Sequence, residues 1–104
     1  MSKIGDAMLT PRQLDILAFI YHNLQASGVV PSYWEIADGT KTADAGGVYH
    51  FIIRLERRGY IKRTPYSHRT LEITDKTREM SEELTAHAKS KKLTLRPNHA
   101  KNHQ

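Results

Sequence analysis

The sequence predicts a mainly α-helical fold carrying one small β-hairpin, and three observations predict it. Two capping boxes, Thr10–Gln13 and Ser32–Glu35, each open a stretch with apolar residues at helical spacing. A third helical stretch, from Asp44 to Gly59, follows the second after a turn at Thr40–Ala43. Two short runs of strand type, Tyr60–Thr64 and Thr70–Thr74, then flank a turn at Pro65–Arg69.

Helix one begins with Thr10 as N-cap, Pro11 at the first helical position, and Leu9 and Leu14 placed as a hydrophobic staple. Ile16, Leu17, Ile20 and Leu24 form its apolar stripe, and Gly28 is the expected stop. Phe19 and Tyr21 lie off that stripe, so this helix is expected to touch something besides the central core. Helix two starts at Ser32, held extended before it by Pro31. It turns Ile36 and Ala37 inward, and Gly39 is expected to let the chain leave the helix; Trp34 is expected to cover the junction with helix one. Asp44 is the N-cap of helix three, with Val48, Ile52 and Leu55 inward and Gly59 as C-terminal cap. After the hairpin, Thr74–Asp75 should cap one further helix reaching about Ser90, with Met80, Leu84 and His87 or Ala88 on one face.

Helix, short helix, tight turn, helix and hairpin together make a winged helix-turn-helix, three helices plus a wing, followed by a C-terminal helix. The expected division is a winged-helix domain at 1–74, a dimerising C-terminal helix at 75–90, and a basic disordered tail at 91–104.

Composition narrows the chemistry. The chain of 104 residues has no cysteine, so neither a disulfide framework nor a thiolate metal site exists. There is no membrane-length apolar run and no signal-peptide pattern, so a cytoplasmic, nucleoid-associated protein is expected, with no membrane partner. His99 and His103 are four apart but lack an acidic or cysteine partner, so no metal is expected. No Gly-rich phosphate loop and no serine with a paired base is present, so neither catalysis nor a cofactor is expected. The net charge of +5 is unevenly placed. Residues 1–84 are neutral, whereas 85–104 hold Lys89, Lys91, Lys92, Arg96 and Lys101 with no acid. A second basic group spans 54–69, with Arg54, Arg57, Arg58, Lys62, Arg63 and Arg69 against Glu56 alone. Two basic patches, one on a folded hairpin, suit a polyanion such as double-stranded DNA.

In this architecture the start of helix three approaches base edges. Gly46 and Gly47 lie there, at a cost of about 1 kcal/mol each relative to alanine. Close backbone approach to DNA or to helix two would account for them, and so would a frayed first turn. Tyr49 suits a thymine methyl or a phosphate, His50 a base acceptor, and Arg54 a phosphate or guanine. At the hairpin tip Ser67, His68 and Arg69 suit the minor groove or phosphates, flanked by Lys62 and Arg63. Ser32 and Tyr33 open helix two, where backbone N–H groups suit a phosphate. Phe51 and Ile53 point partly away from the inward stripe and, with Met80 and Leu84, form a candidate partner interface, filled in cis or by a second copy.

The segments LTPRQLDIL, VVPSYWEIA and LERRGYI run in register through Leu9–Leu71, and this region resembles the N-terminal DNA-binding domain of the LexA repressor family. The resemblance implies that the start of helix three reads the major groove, with base-contacting positions at Asp44, Gly46, Gly47, Tyr49 and His50. Family members carry mostly Ser, Asn, Ala and Glu there, so the family's operator does not transfer. Thr40 likewise replaces an expected apolar residue. The repressors' second domain, which dimerises and cleaves itself with a Ser/Lys pair, does not fit in a chain ending at Gln104. Instead Leu71–Leu84 resembles the last strand and C-terminal helix of other winged-helix regulators, where that helix often dimerises.

The expectation is therefore a bacterial or phage sequence-specific regulator, a repressor, binding double-stranded DNA as a homodimer. The alternative is a protein-binding winged helix whose partner is a host transcription or replication factor.

Overall fold

The computed structural model describes residues 9–64 and 71–93. Helix α1 (Pro11–Ser27) starts as its capping box requires: the Gln13 N–H donates to Thr10 Oγ1 at 3.1 Å and the Thr10 N–H to Gln13 Oε1 at 3.0 Å. It ends at Gly28, whose φ of 76° admits a glycine and whose N–H returns to the Leu24 carbonyl. Ile16 through Ile20 are all buried, because α1 is covered on more than one side. Phe19 and Tyr21 thereby find their partners: Phe19 packs towards the second helix, and Tyr21 lines a cleft shared with the last one.

Helix α2 (Tyr33–Thr40) has the second capping box, with Glu35 N–H donating to Ser32 Oγ at 3.1 Å and Ser32 N–H to Glu35 Oε1 at 2.8 Å. Gly39 does not end it. The chain leaves at Lys41, in the left-handed region at φ 59°, while Gly39 lies within the helix against Phe19. A Cβ on Gly39 would stand 2.2 Å from Phe19 Cε1, so the glycine is there for close packing. Thr40, where an apolar residue was expected, is buried by satisfying its hydroxyl: it donates to the Ile36 carbonyl at 2.7 Å and meets Thr42 Oγ1 at 2.7 Å.

Helix α3 (Ala45–Arg57) presents Val48, Ile52 and Leu55 to the core, all fully buried. Its end is a Schellman-type turn: Tyr60 N–H reaches back to the Leu55 carbonyl, Gly59 N–H to Glu56, and Gly59 takes φ 84°. Strands β1 (Ile61–Lys62) and β2 (Glu72–Ile73) pair antiparallel, Ile61 opposite Ile73 and Lys62 opposite Glu72, and are shorter than the sequence suggests. The connection at 65–70 lies outside the described residues.

The single fourth helix expected from Thr74 to Ser90 is instead two, α4 (Asp75–Arg78) and α5 (Ser81–Ser90), broken at Glu79–Met80. Tertiary hydrogen bonds account for the break. Thr74 does not cap with its side chain but donates it to the Gly59 carbonyl at 2.6 Å, and buried Thr77 donates to Tyr60 at 2.6 Å. Lys76 Nζ donates to the Arg58 carbonyl at 2.8 Å. The first turn is thus tied to the end of α3, whereas α5 runs along α1. Leu84 and Ala88 are fully buried there, and Met80 packs on the same core. Leu93, expected in the tail, is also buried, its N–H returning to the Ala88 carbonyl at 2.8 Å.

A charged network fastens α5 to α1. The Asp15 carboxylate, 4% exposed, accepts from Arg12 at 2.9 Å and from His87 Nε2 at 2.6 Å, with Lys91 Nζ at 3.5 Å. Arg12 also donates from Nη2 to Thr42 Oγ1 at 2.7 Å, so the network continues into the turn before α3.

Candidate nucleic-acid interface

With its core stripe committed, α3 leaves Gly46, Tyr49, His50 and Arg54 exposed. Asp44 caps the helix, its Oδ1 accepting the Gly47 N–H at 2.8 Å. The first turn is accordingly closed and not frayed. The two glycines differ: a Cβ on Gly47 would meet Thr42 Cγ2 at 3.2 Å, a tight approach to the helix-turn-helix turn, whereas one on Gly46 would meet only Asp44 Oδ1 at 3.5 Å. The fold has room for a side chain at 46.

Three side chains surround Tyr49. Tyr33, at the start of α2, has its ring centroid 6.3 Å away; His50 lies beside it at 6.0 Å; and the Arg63 guanidinium, just past β1, is 5.7 Å from the Tyr49 centroid. Arg63 Nε also donates to Glu56 Oε1 at 3.1 Å. Burial disfavours its charge, but hydrogen bonds to Tyr33 and Glu56 and the Glu56 carboxylate outweigh this and hold its pKa above the ordinary arginine value. Arg63 thus fastens the wing's first strand to α3, and its partner Glu56, which sequence reasoning had not assigned, makes that possible. Lys62, its neighbour, is exposed, as are Arg54, Arg57 and Arg58.

Of the other expected site residues, Ser32 sits with Tyr33 at the head of α2, where both its side chain and its N–H serve the capping box. Ser67, His68 and Arg69 lie outside the described residues, as do His99 and His103. The group expected to meet a partner is divided. Leu84 is fully buried in this chain's own core, and Phe51 and Met80 pack partly against it, while Ile53 is half-buried. Trp34 does not cover the helix junction; it is 69% exposed. Gly39 explains this, since the side of α2 facing α1 is filled by the Phe19 ring. Among the described residues no cluster of His, Cys, Asp or Glu could hold a metal ion, and no helix is long and apolar enough to cross a membrane.

Residues 6–70 match the family described as the LexA DNA binding domain. Over 66 residues the chain is 42% identical to a LexA repressor of Pelagibacter ubique (strain HTCC1062), an alignment covering 64% of this chain and 29% of that protein. The chain therefore corresponds to under a third of that relative's length, and α4 and α5 follow the segment that matches the family. No solved structure matches the chain. The matched segment is a DNA-binding and not a catalytic domain, and the helical fold with its two-stranded antiparallel sheet agrees with a winged helix-turn-helix. By this match the chain belongs to the LexA DNA-binding domain family.

Proposed function

We propose that this protein is a sequence-specific, double-stranded DNA-binding transcriptional regulator that represses by occupying promoter DNA. The observation that carries the reading is the pair Tyr49–His50, exposed on the outward side of α3 and backed by half-buried Tyr33 at the head of α2, within a LexA-type DNA-binding domain. Helix α3 enters the major groove with its N-terminal half. His50 donates to a base acceptor such as guanine O6 or N7, and the exposed edge of Tyr49 lies against a thymine methyl or a phosphate. Gly46 lets the backbone approach the base edges, since the fold itself does not require a glycine there. Arg54 and Lys62 contact flanking phosphates, and Arg63 acts by holding Tyr49 and the wing together. The wing tip at Ser67–Arg69 contacts the adjacent minor groove, the basic residues beyond Leu93 add sequence-independent affinity, and the protein associates with the nucleoid through this binding.

A homodimer on a palindrome supplies the specificity that one small module lacks. Its contact does not use Leu84, which is inside the monomer. The test is selection of binding sites from random duplex DNA at near-physiological salt, using full-length protein. A recovered motif with two-fold symmetry is the expected outcome. Binding that enriches no sequence and disappears as salt rises contradicts the reading.

A further inference from the structure

The core grips α3 only from Val48 onward, because the residues of its first turn are Ala45, Gly46 and Gly47, with a single methyl between them. That turn is held from outside. Asp44 caps it, and Thr42, just before the cap, has its Cγ2 3.2 Å from where a Cβ on Gly47 would stand. Thr42 is itself fixed on two sides. Arg12 of α1 donates from Nη2 to Thr42 Oγ1 at 2.7 Å, and Thr42 Oγ1 lies 2.7 Å from Thr40 Oγ1. Counting protons gives the direction of each bond. A hydroxyl has one hydrogen, and Thr40 gives its own to the Ile36 carbonyl at 2.7 Å, so Thr42 must donate to Thr40. A guanidinium only donates, so Thr42 accepts from Arg12. The relay therefore runs one way, from Arg12 through Thr42 and Thr40 to Ile36, and joins α1 to α2 across the turn that leads into α3.

Arg12 is anchored in its turn. Its Nη1 donates to the buried Asp15 carboxylate at 2.9 Å, so the planar guanidinium spans α1 and the turn in one fixed geometry. Residue 42 is also tied through its backbone, the Thr42 N–H donating to the Ala37 carbonyl at 2.9 Å. Tyr49 and His50 follow Gly47 within one helical turn, so a displaced first turn displaces both. Hydrogen bonds to bases weaken steeply with distance and angle, whereas attraction to phosphates through Arg54 and Lys62 tolerates such a shift. We infer that Thr42, fixed by Arg12, is a positioning residue for sequence recognition: it seats the first turn of α3 and thereby sets where Tyr49 and His50 meet the bases. This inference rests on duplex DNA being the ligand of α3.

The test compares two affinities of the full-length protein, for an end-labelled duplex recovered by selection and for an unselected one. Both are read by label anisotropy at one salt concentration, well below the thermal midpoint of each variant. Thr42→Val keeps the side chain's shape and removes its hydroxyl. It should bind the selected duplex about tenfold more weakly, the scale of one mismatched base pair. Its affinity for the unselected duplex should stay within about twofold of wild type, since phosphate contacts are unchanged. Arg12→Lys, a point charge without the fork, should behave in the same way. The double variant should lose no more than either single one, because both break one relay. Thr42→Ser keeps the hydroxyl and should hold the selected affinity within about threefold of wild type. Thr42→Val or Arg12→Lys with the wild-type ratio of the two affinities overturns the inference and leaves the DNA reading standing. Thr42→Ser that falls as far as Thr42→Val also overturns it, making apolar packing and not the relay the determinant. Additive losses in the double variant do the same, by giving Arg12 and Thr42 separate roles. Failure of every duplex to raise the anisotropy with wild type removes the DNA reading, and the inference with it.

Discussion

Tyr49 and His50 carry the proposed base reading, and the residues around them are positioned by contacts of different strength. Arg63 is held by Glu56 and lies over the Tyr49 ring, so it is fixed from two sides. The glycines allow a sharper prediction. Gly39→Ala gains about 1 kcal/mol of helix propensity but forces a methyl to 2.2 Å from a ring that is itself 2% exposed. Overpacking of this kind costs about 1–3 kcal/mol, and a gap so short lies at the upper end, so the substitution should destabilise by about 1–2 kcal/mol. Gly46→Ala meets no such obstacle. It should raise stability by up to about 1 kcal/mol while altering the selected DNA sequence. Thermal denaturation of both variants checks the pair, and equal destabilisation of the two would refute the distinction. The role of Gly39 was hidden in the sequence because its partner, Phe19, comes from a different helix; a glycine near a helix end looks like a stop signal. Trp34 was misplaced for the same reason, since Phe19 already fills the junction that the tryptophan was expected to cover.

At the scale of elements, the starts of α1, α2 and α3 were legible because a cap is local chemistry at fixed spacing: Thr10 with Gln13, Ser32 with Glu35, Asp44 with Gly47. The break between α4 and α5 was not, because it follows from Thr77 reaching the Tyr60 carbonyl, seventeen residues away in the chain. Docking of α5 on α1 was legible only as an apolar face of Leu84 and Ala88; which surface it would meet depends on Asp15, a buried carboxylate in an otherwise apolar stretch. Asp15 joins Arg12, His87 and Lys91, and through Arg12 reaches Thr42 in the helix-turn-helix turn. Asp15→Ala should therefore lower stability by about 1–3 kcal/mol, the range for charge-assisted hydrogen bonds left without a partner. Amide exchange should rise across 81–93 and also at the turn 40–44. An unchanged thermal midpoint with unchanged exchange would show that apolar packing alone holds α5.

Across the whole molecule, the fold order and the family were legible in the sequence, whereas the packing of the C-terminal helix into the same core was not. Leu84, Ala88 and Leu93 belong to the same core as Ile16 and Ile52, so residues 81–93 complete the folded unit. Lys89 lies within α5, as expected, and Lys91 caps its end. Removal of residues 94–104, which takes away Arg96 and Lys101, should leave the selected site unchanged. The slope of log K against log salt should flatten by no more than about 2, each lost phosphate contact contributing about 0.9. Loss of nearly all binding on that truncation would instead make the tail the principal DNA-binding element.

Base reading by α3 through Tyr49 and His50 is decided by parallel selections from random duplex DNA with wild type and the Tyr49→Ala/His50→Ala variant. Wild type should yield a motif, and the double variant should retain low-salt binding without that motif. The same motif recovered by both proteins would contradict that reading, placing sequence recognition elsewhere on the molecule.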